Sequence, residues 1–350
     1  MMLARSGEQE QFAAALHEML SATDGPAAAR SWATGDRKPG LEIWQSLAEA
    51  GVTALMIPAD RGGLGADPVD LVIACEEIGH HAVPGPVAES LAAVPVLVSG
   101  LGISFITRPP GPGSIPSVPA DQMKSHLHAL ADGDELATLA APPLVPYAAD
   151  AEAAGLILLA AGDELAVAAP GRMHRSVDAA RNLTEVTAGD QLARGPEVTA
   201  AILRAVEFGT LASSAQLLGL GRALLELAAA HARQRVQFGQ PIGSFQAVKH
   251  QLADVAIGLE FARPLLFAAA IALTGDAPQP ARDVSAAKVA CAQAASRAAR
   301  TALQVHGAIG YTAEHDAGPY LTRIRALAPA WGSQAQHRAR VLAAITGEGS

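Results

Sequence analysis

The sequence predicts a mainly α protein with a small β domain set between two helical domains. Three observations carry that expectation. Half of the 350 residues are hydrophobic but only 4% are aromatic, so Ala, Leu and Val fill the core, which favours closely packed helices over a β-sandwich. From about residue 199 onward, apolar residues recur at helical spacing through long stretches. Between about 135 and 195 the pattern changes to short apolar runs parted by turn residues. The expected divisions are an N-terminal helical domain over 1–134, a reduced middle β domain over 135–195 and a C-terminal four-helix bundle over 196–350.

The N-terminal elements follow from local signals. Residues 8–22 and 41–50 have helical periodicity; Trp44, Leu47 and Ala48 share one face, and Gly51 ends the second helix. Val52 to Pro58 is a short apolar segment. Arg61-Gly62-Gly63-Leu64-Gly65 reads as a tight turn, because no Lys-Ser/Thr pair follows as in a phosphate-binding loop. Asp67 can cap a new helix with Pro68 at its first position, running through Cys75, Glu76 and Ile78 to Gly79 as its stop. Glu76 and Glu77 read as a solvated face with one structural contact. His80 and His81, adjacent on a helix, should diverge by about 100° and share no ligand site. The five prolines and two glycines of 107–120 make an extended spacer.

Further along, Ala137-Thr138-Leu139-Ala140 looks like a strand start. Leu156 to Ala160 and Leu165 to Ala169 form a hairpin around Ala161-Gly162-Asp163-Glu164. The first bundle helix covers 199–234. The second carries a seam of Phe245, Val248, Leu252, Val255 and Leu259, and ends at Gly275-Asp276-Ala277-Pro278. The third, 282–305, has a small-residue stripe of Ala287, Cys291, Ala294, Ala295 and Ala298, and the fourth covers 317–345.

Composition also narrows the function. A net charge of -9 argues against nucleic acid. Glu8, Glu10 and Gln11 interrupt any apolar leader, and Asp163 and Glu164 break the best uncharged apolar run, so a cytoplasmic chain with no membrane partner is expected. Cys75 and Cys291 sit in apolar helical contexts and are expected as buried thiols. No Gly-x-Ser-x-Gly marks a hydrolase, and no His-Glu-x-x-His or Cys-x-x-Cys suggests a metal.

Two bundle turns carry more polar chemistry than connectors need. Arg235-Val236-Gln237-Phe238-Gly239, with Gln246 after Ser244-Phe245, joins the first two helices. Gln304-Val305-His306-Gly307-Ala308-Ile309-Gly310-Tyr311 closes the third. The N-terminal part adds Ile57-Pro58, Gly62-Gly63-Leu64-Gly65, Glu76-Glu77-Ile78-Gly79 and Pro84-Gly85-Pro86. Together these resemble the acyl-CoA dehydrogenase family, strongly over 44–90 and 231–325 and weakly over 100–195.

The resemblance implies an FAD-dependent α,β-desaturation of an acyl-CoA thioester, in which a carboxylate base removes the α-proton while a hydride passes to flavin. It implies that Arg235, Gln237, Phe238, Gln246, Gln304, Val305, Gly307 and Ala308 contact FAD across a subunit interface. The family's two base positions fall on Trp331, within Trp331-Gly332-Ser333, and on Gly209. Indole cannot accept a proton near neutral pH. Glu207 is close to Gly209 in sequence, but two residues turn a helix by about 200°. The family's flavin segment falls on Pro142 to Ala148, which has no Gly-Ser-Asp.

The chain therefore resembles the non-catalytic subunit of heteromeric α2β2 members, without a base of its own. FAD would be shared with a homologous catalytic partner in a heterotetramer, and bulky acyl-CoA esters such as steroid side chains are the implied substrate class. Two alternatives stay open. One is a homo-oligomeric flavoenzyme with its base among Glu207, Asp254 and Glu314. The other is a structural or regulatory paralogue without redox chemistry.

Overall fold

The computed structural model describes residues 5–101, 120–275, 277–312 and 315–347, and is mostly helical with a small five-stranded mixed sheet and a two-stranded hairpin. Its first helices are α1 (Gly7–Ser21), α2 (Gly25–Ala33), α3 (Lys38–Glu49), α4 (Pro68–His80), α5 (Val94–Leu101) and α6 (Ala120–Ala131). Asp67 caps α4 as expected, its side chain accepting from the Val69 N–H, with Pro68 at the first position. Helix α2 was missed by periodicity because it is short, although Asp24 caps it and Pro26 opens it. The Pro-rich spacer lies, but for Ala120, outside the described residues.

Gly62 and Gly63 make the tight turn the sequence implies. Gly62 takes φ 86°, and a Cβ on Gly63 would lie 2.1 Å from the Ile57 carbonyl oxygen. Gly79 has a different role from the one expected. It lies inside α4, which ends one residue later, and a Cβ there would meet the Gln216 carbonyl at 2.3 Å. It is a close-crossing glycine and not a stop.

The sheet has the order β1-β3-β4-β5-β2. Strand β1 (Ala137–Ala140) runs parallel to β3 (Leu156–Ala161). Strands β3 and β4 (Glu164–His174) form the expected hairpin, turned at Gly162 with φ 64°. Strand β5 (Leu183–Arg194) returns along β4 and carries β2 (Ala148–Ala149) at its edge. The sequence reading missed β5 because its middle is mostly solvent-exposed and polar, which erases the alternation of a half-buried strand.

The bundle consists of α7 (Pro196–Gln234), α8 (Gln246–Thr274), α9 (Pro280–His306), α10 (Ala317–Leu327) and α11 (Gln334–Thr346). The expected fourth helix is thus two. Gly332 takes φ 100°, and Ser333 starts α11 with a reciprocal capping box to Gln336. Val255 and Leu259 of the α8 seam are buried, as is every member of the α9 stripe. Helix α8 is long and apolar enough to cross a membrane by length and composition, which the search for an uncharged run did not show. Nine of its residues, among them Leu266, Phe267 and Ala270, are buried in the core. Cys75 and Cys291 are buried free thiols.

Candidate functional site

The N-terminal helices are locked to the bundle where α4 crosses α7. A Cβ on Gly219 would lie 1.9 Å from the Glu76 carbonyl oxygen, so the two backbones touch. That approach sets Arg222 of α7 against both acidic residues of α4. Its Nη1 donates to Glu76 Oε1 at 2.7 Å and to Glu77 Oε1 at 2.9 Å. Arg5 and Arg263 also bond Glu76, at 2.9 and 3.1 Å. Glu76 and Glu77 are therefore not a solvated face: both are buried, and they form the centre of an ion-pair network. Burial works to raise the Glu77 pKa, but Arg222 and His17 overcome it and hold the carboxyl below its ordinary value. His80 and His81 do not diverge either. Their rings lie 4.9 Å apart, because His81 has left the helix as its C-cap.

The two expected base positions, Trp331 and Gly209, face each other. Trp331 is buried at φ 60°, and a Cβ on Gly209 would sit 2.2 Å from its Cζ3. The indole thus fills the space a side chain at 209 would need. Its backbone is held in place: the Trp331 carbonyl accepts from His337 Nε2 at 2.9 Å and from Thr210 Oγ1 at 3.4 Å. Glu207, two residues away on α7, pairs instead with Arg340 of α11. Burial raises its pKa against the pull of Arg340. Asp254 is exposed on α8, 4.0 Å from Arg297. Glu314 lies outside the described residues.

Beside Trp331 the interior is filled by charged residues that sequence reasoning missed. Glu89, Arg181, Arg323, Asp178 and Asp150 are all buried. Arg323 pairs with Asp178 and donates to the Val83 carbonyl at 2.8 Å; Arg181 approaches Glu89 at 3.8 Å. Burial raises Glu89 above the usual carboxylate range and lifts Asp150 to about 7. The cavity among Gly85, Glu89, Arg181, Gln216, Arg323 and Trp331 holds about 10 Å3, room for about one water at most. The one signal in the sequence was Glu89, three residues beyond the Pro84-Gly85-Pro86 turn; the π-helical turn over Glu89–Ala93 is revealed only by the structure. A separate, mostly apolar cavity of about 520 Å3 lies between α2 and α10, with Asp178 and Leu303 in its wall.

The polar turns lie together at one end of the bundle. Arg235 is the C-cap of α7. After it, β6 (Val236–Gln237) and β7 (Gln240–Pro241) form a hairpin with Phe238 and Gly239 at its tip, at φ 52° and 79°. Phe238 is 92% exposed. Gln237 and Gln246 are exposed too, and the Arg235 side chain has no ion-pair partner among the described residues. His231 of α7 and His306 of α9 stack with centroids 4.5 Å apart, joining the hairpin to the Gln304 loop. Gln304 and Ala308 are exposed, Gly307 takes φ 65°, and Val305 is buried in the core.

An unclaimed guanidinium beside exposed glutamines and a positive-φ glycine fits the diphosphate end of a dinucleotide. The 142–148 segment does not fit a flavin ring. Ala141 and Val145 bond each other's backbone at 2.7 and 2.9 Å, and no polar side chain precedes Tyr147.

Comparison with known proteins agrees with this architecture. Residues 6–101 match the family model described as acyl-CoA dehydrogenase, N-terminal domain, and 199–346 the one described as acyl-CoA dehydrogenase, C-terminal domain. The chain is 29% identical over 323 residues to acyl-CoA dehydrogenase IpdE2 of Mycobacterium tuberculosis, covering 90% of each. Its fold is similar to a chain of the ChsE4-ChsE5 complex from Mycobacterium tuberculosis, with TM-score 0.79, 21% identity and 99% of each chain covered. A chain of a Tcur3481-Tcur3483 steroid ACAD variant gives TM-score 0.79 at 20% identity, over 98% of this chain and 99% of that one. By both its terminal regions and its whole-chain fold, the chain belongs to the acyl-CoA dehydrogenase family.

Proposed function

We propose that this chain is the non-catalytic subunit of a heteromeric FAD-dependent acyl-CoA dehydrogenase, with the three-domain division 1–134, 135–195 and 196–350 and a cytoplasmic location. One observation carries the reading: the indole of Trp331 lies on Gly209, so both base positions are closed by one buried contact. Neither residue can take a proton from a thioester α-carbon. FAD, when bound, supplies the hydride acceptor. This chain's part is to hold the diphosphate and adenosine of an FAD seated in its partner, through Arg235, Gln237, Phe238, Gln246, Gln304, Gly307, Ala308 and the Val305 backbone.

The partner is a homologous catalytic subunit, and the assembly a heterotetramer. Two features support a partner. Phe238 stands at an exposed tip, and Ile257, Phe261 and Leu265 form an exposed apolar stripe one turn apart along α8. Two structural neighbours are described as pairs of unlike chains, one of them as a steroid ACAD, which supports a bulky acyl-CoA as substrate.

The test is bound flavin per chain, for the protein made alone and made with its genomic neighbour. Flavin only in the co-produced complex, about one FAD per pair of chains, is the expected result. One FAD per chain in the isolated protein would instead favour a homo-oligomeric flavoenzyme. No flavin in either preparation would favour a non-redox paralogue.

A further inference from the structure

Three histidines distant in sequence meet at the end of α4. Helix α4 stops at His80, and His81, at φ -97° and ψ 8°, begins the turn away from it. Helix α1 packs alongside and presents His17. The three imidazole rings lie 4.9 to 5.2 Å apart, centre to centre. Glu77, one turn earlier on α4, adds a carboxylate. One donor atom from each of the four residues falls within 4.8 Å of the others. No motif spacing announces this group, because His17 comes from another helix some 60 residues earlier.

The hydrogen bonds around the cluster are arranged as outer support. Glu77 Oε1 accepts from Arg222 Nη1, and its Oε2 lies 2.9 Å from His17 Nδ1. His80 uses Nε2 on Glu226 Oε2 at 3.0 Å, and its Nδ1 is buried without any partner. His80 is only 8% exposed, so that nitrogen is desolvated with nothing in return. A carboxylate on one ring nitrogen and a free lone pair on the other is how a metal-bound histidine is oriented. His81 Nε2 lies 3.3 Å from His17 Nδ1. Tetrahedral ligands with bonds near 2.1 Å are roughly 3.4 Å apart; His17 Nδ1 lies at 2.9 and 3.3 Å from its two neighbours, and all four donors fall within 4.8 Å.

We propose that His17, Glu77, His80 and His81 bind one divalent first-row transition-metal ion, zinc in type, with Glu226 orienting His80. Three imidazoles and one carboxylate suit zinc and its neighbours and disfavour magnesium or calcium. The site shares no residue with the Trp331 cavity or with the two polar turns, and it ties α1 to α4.

The test uses the full chain without a histidine tag, stripped with a chelator and titrated with Zn2+ by calorimetry. One ion per chain is expected, with at least tenfold weaker binding in His17→Ala and in His81→Ala. Co2+ should give visible d–d absorption in the wild type that is lost in both variants. The His17 side chain is 45% exposed, so its removal leaves the core intact. Zn2+ bound well below one per chain, or binding that neither substitution weakens, overturns the proposal.

Discussion

Arg235 can serve a diphosphate because no other group in the described chain claims it. Arg235→Ala in the assembled complex should weaken FAD binding about 10- to 100-fold, the loss of charge-assisted hydrogen bonds worth roughly 1.5–3 kcal/mol. Flavin retained through dilution and gel filtration measures this, and unchanged retention removes the assignment. His337 sets a pH limit. It is buried, with Nε2 donating to Trp331 and Nδ1 facing Ser285 Oγ at 3.1 Å. Burial first, then Lys288 and Arg340, depresses its pKa from 6.5 to about 4. The unfolded chain therefore takes up this proton first. The stability tied to neutral His337 is complete above about pH 6.5 and falls away toward pH 4, by at most about 1.4 kcal/mol per pH unit. Thermal melts at pH 7 and 5 should show a drop that His337→Asn reduces. An equal drop in the variant would place the acid sensitivity elsewhere.

At the scale of elements, the α4–α7 crossing decides where the charged groups go. Gly219 has no room for a methyl group, since its neighbour is the Glu76 backbone, which cannot rotate aside. Gly219→Ala should cost about 3 kcal/mol and lower the melting temperature. Gly7→Ala, with nothing within 4 Å, should cost none. Equal melting temperatures for the two variants would mean that the helices slide apart freely. This crossing was invisible in sequence. Gly79 looked like a helix stop because a terminal glycine and a packing glycine read alike in one dimension. The break between α10 and α11 was equally hidden, although Pro329, Gly332 and the Ser333–Gln336 capping pair were there to be read.

At the scale of the whole molecule, the apolar stripe on α8 is exposed among the described residues. Phe261 is 74% exposed, flanked one turn away by Ile257 and Leu265. Phe261→Asp should reduce co-purification of the proposed partner at least tenfold while leaving the melting temperature of the isolated chain within a degree or two. Undiminished pairing would move the interface to another face. The same stripe explains why α8 is apolar enough to pass for a membrane span: one face fills the bundle and part of the other stays bare.

The family, the order of helices, sheet and helices, the capped start of α4, the β3–β4 hairpin and the two polar turns were legible in one dimension. Those depend on local spacing, capping and turn chemistry, which a linear reading contains. The resemblance put Trp331 and Gly209 at the expected base positions, but as two separate absences. Only the tertiary structure showed that one fills the space of the other. It alone buried Glu76 and Glu77 among three arginines, gathered Glu89, Arg181, Arg323 and Asp178 beside Trp331, and brought His17 to His80 and His81. These are contacts between residues far apart in the chain, set by how closely two backbones approach, and no local pattern records them.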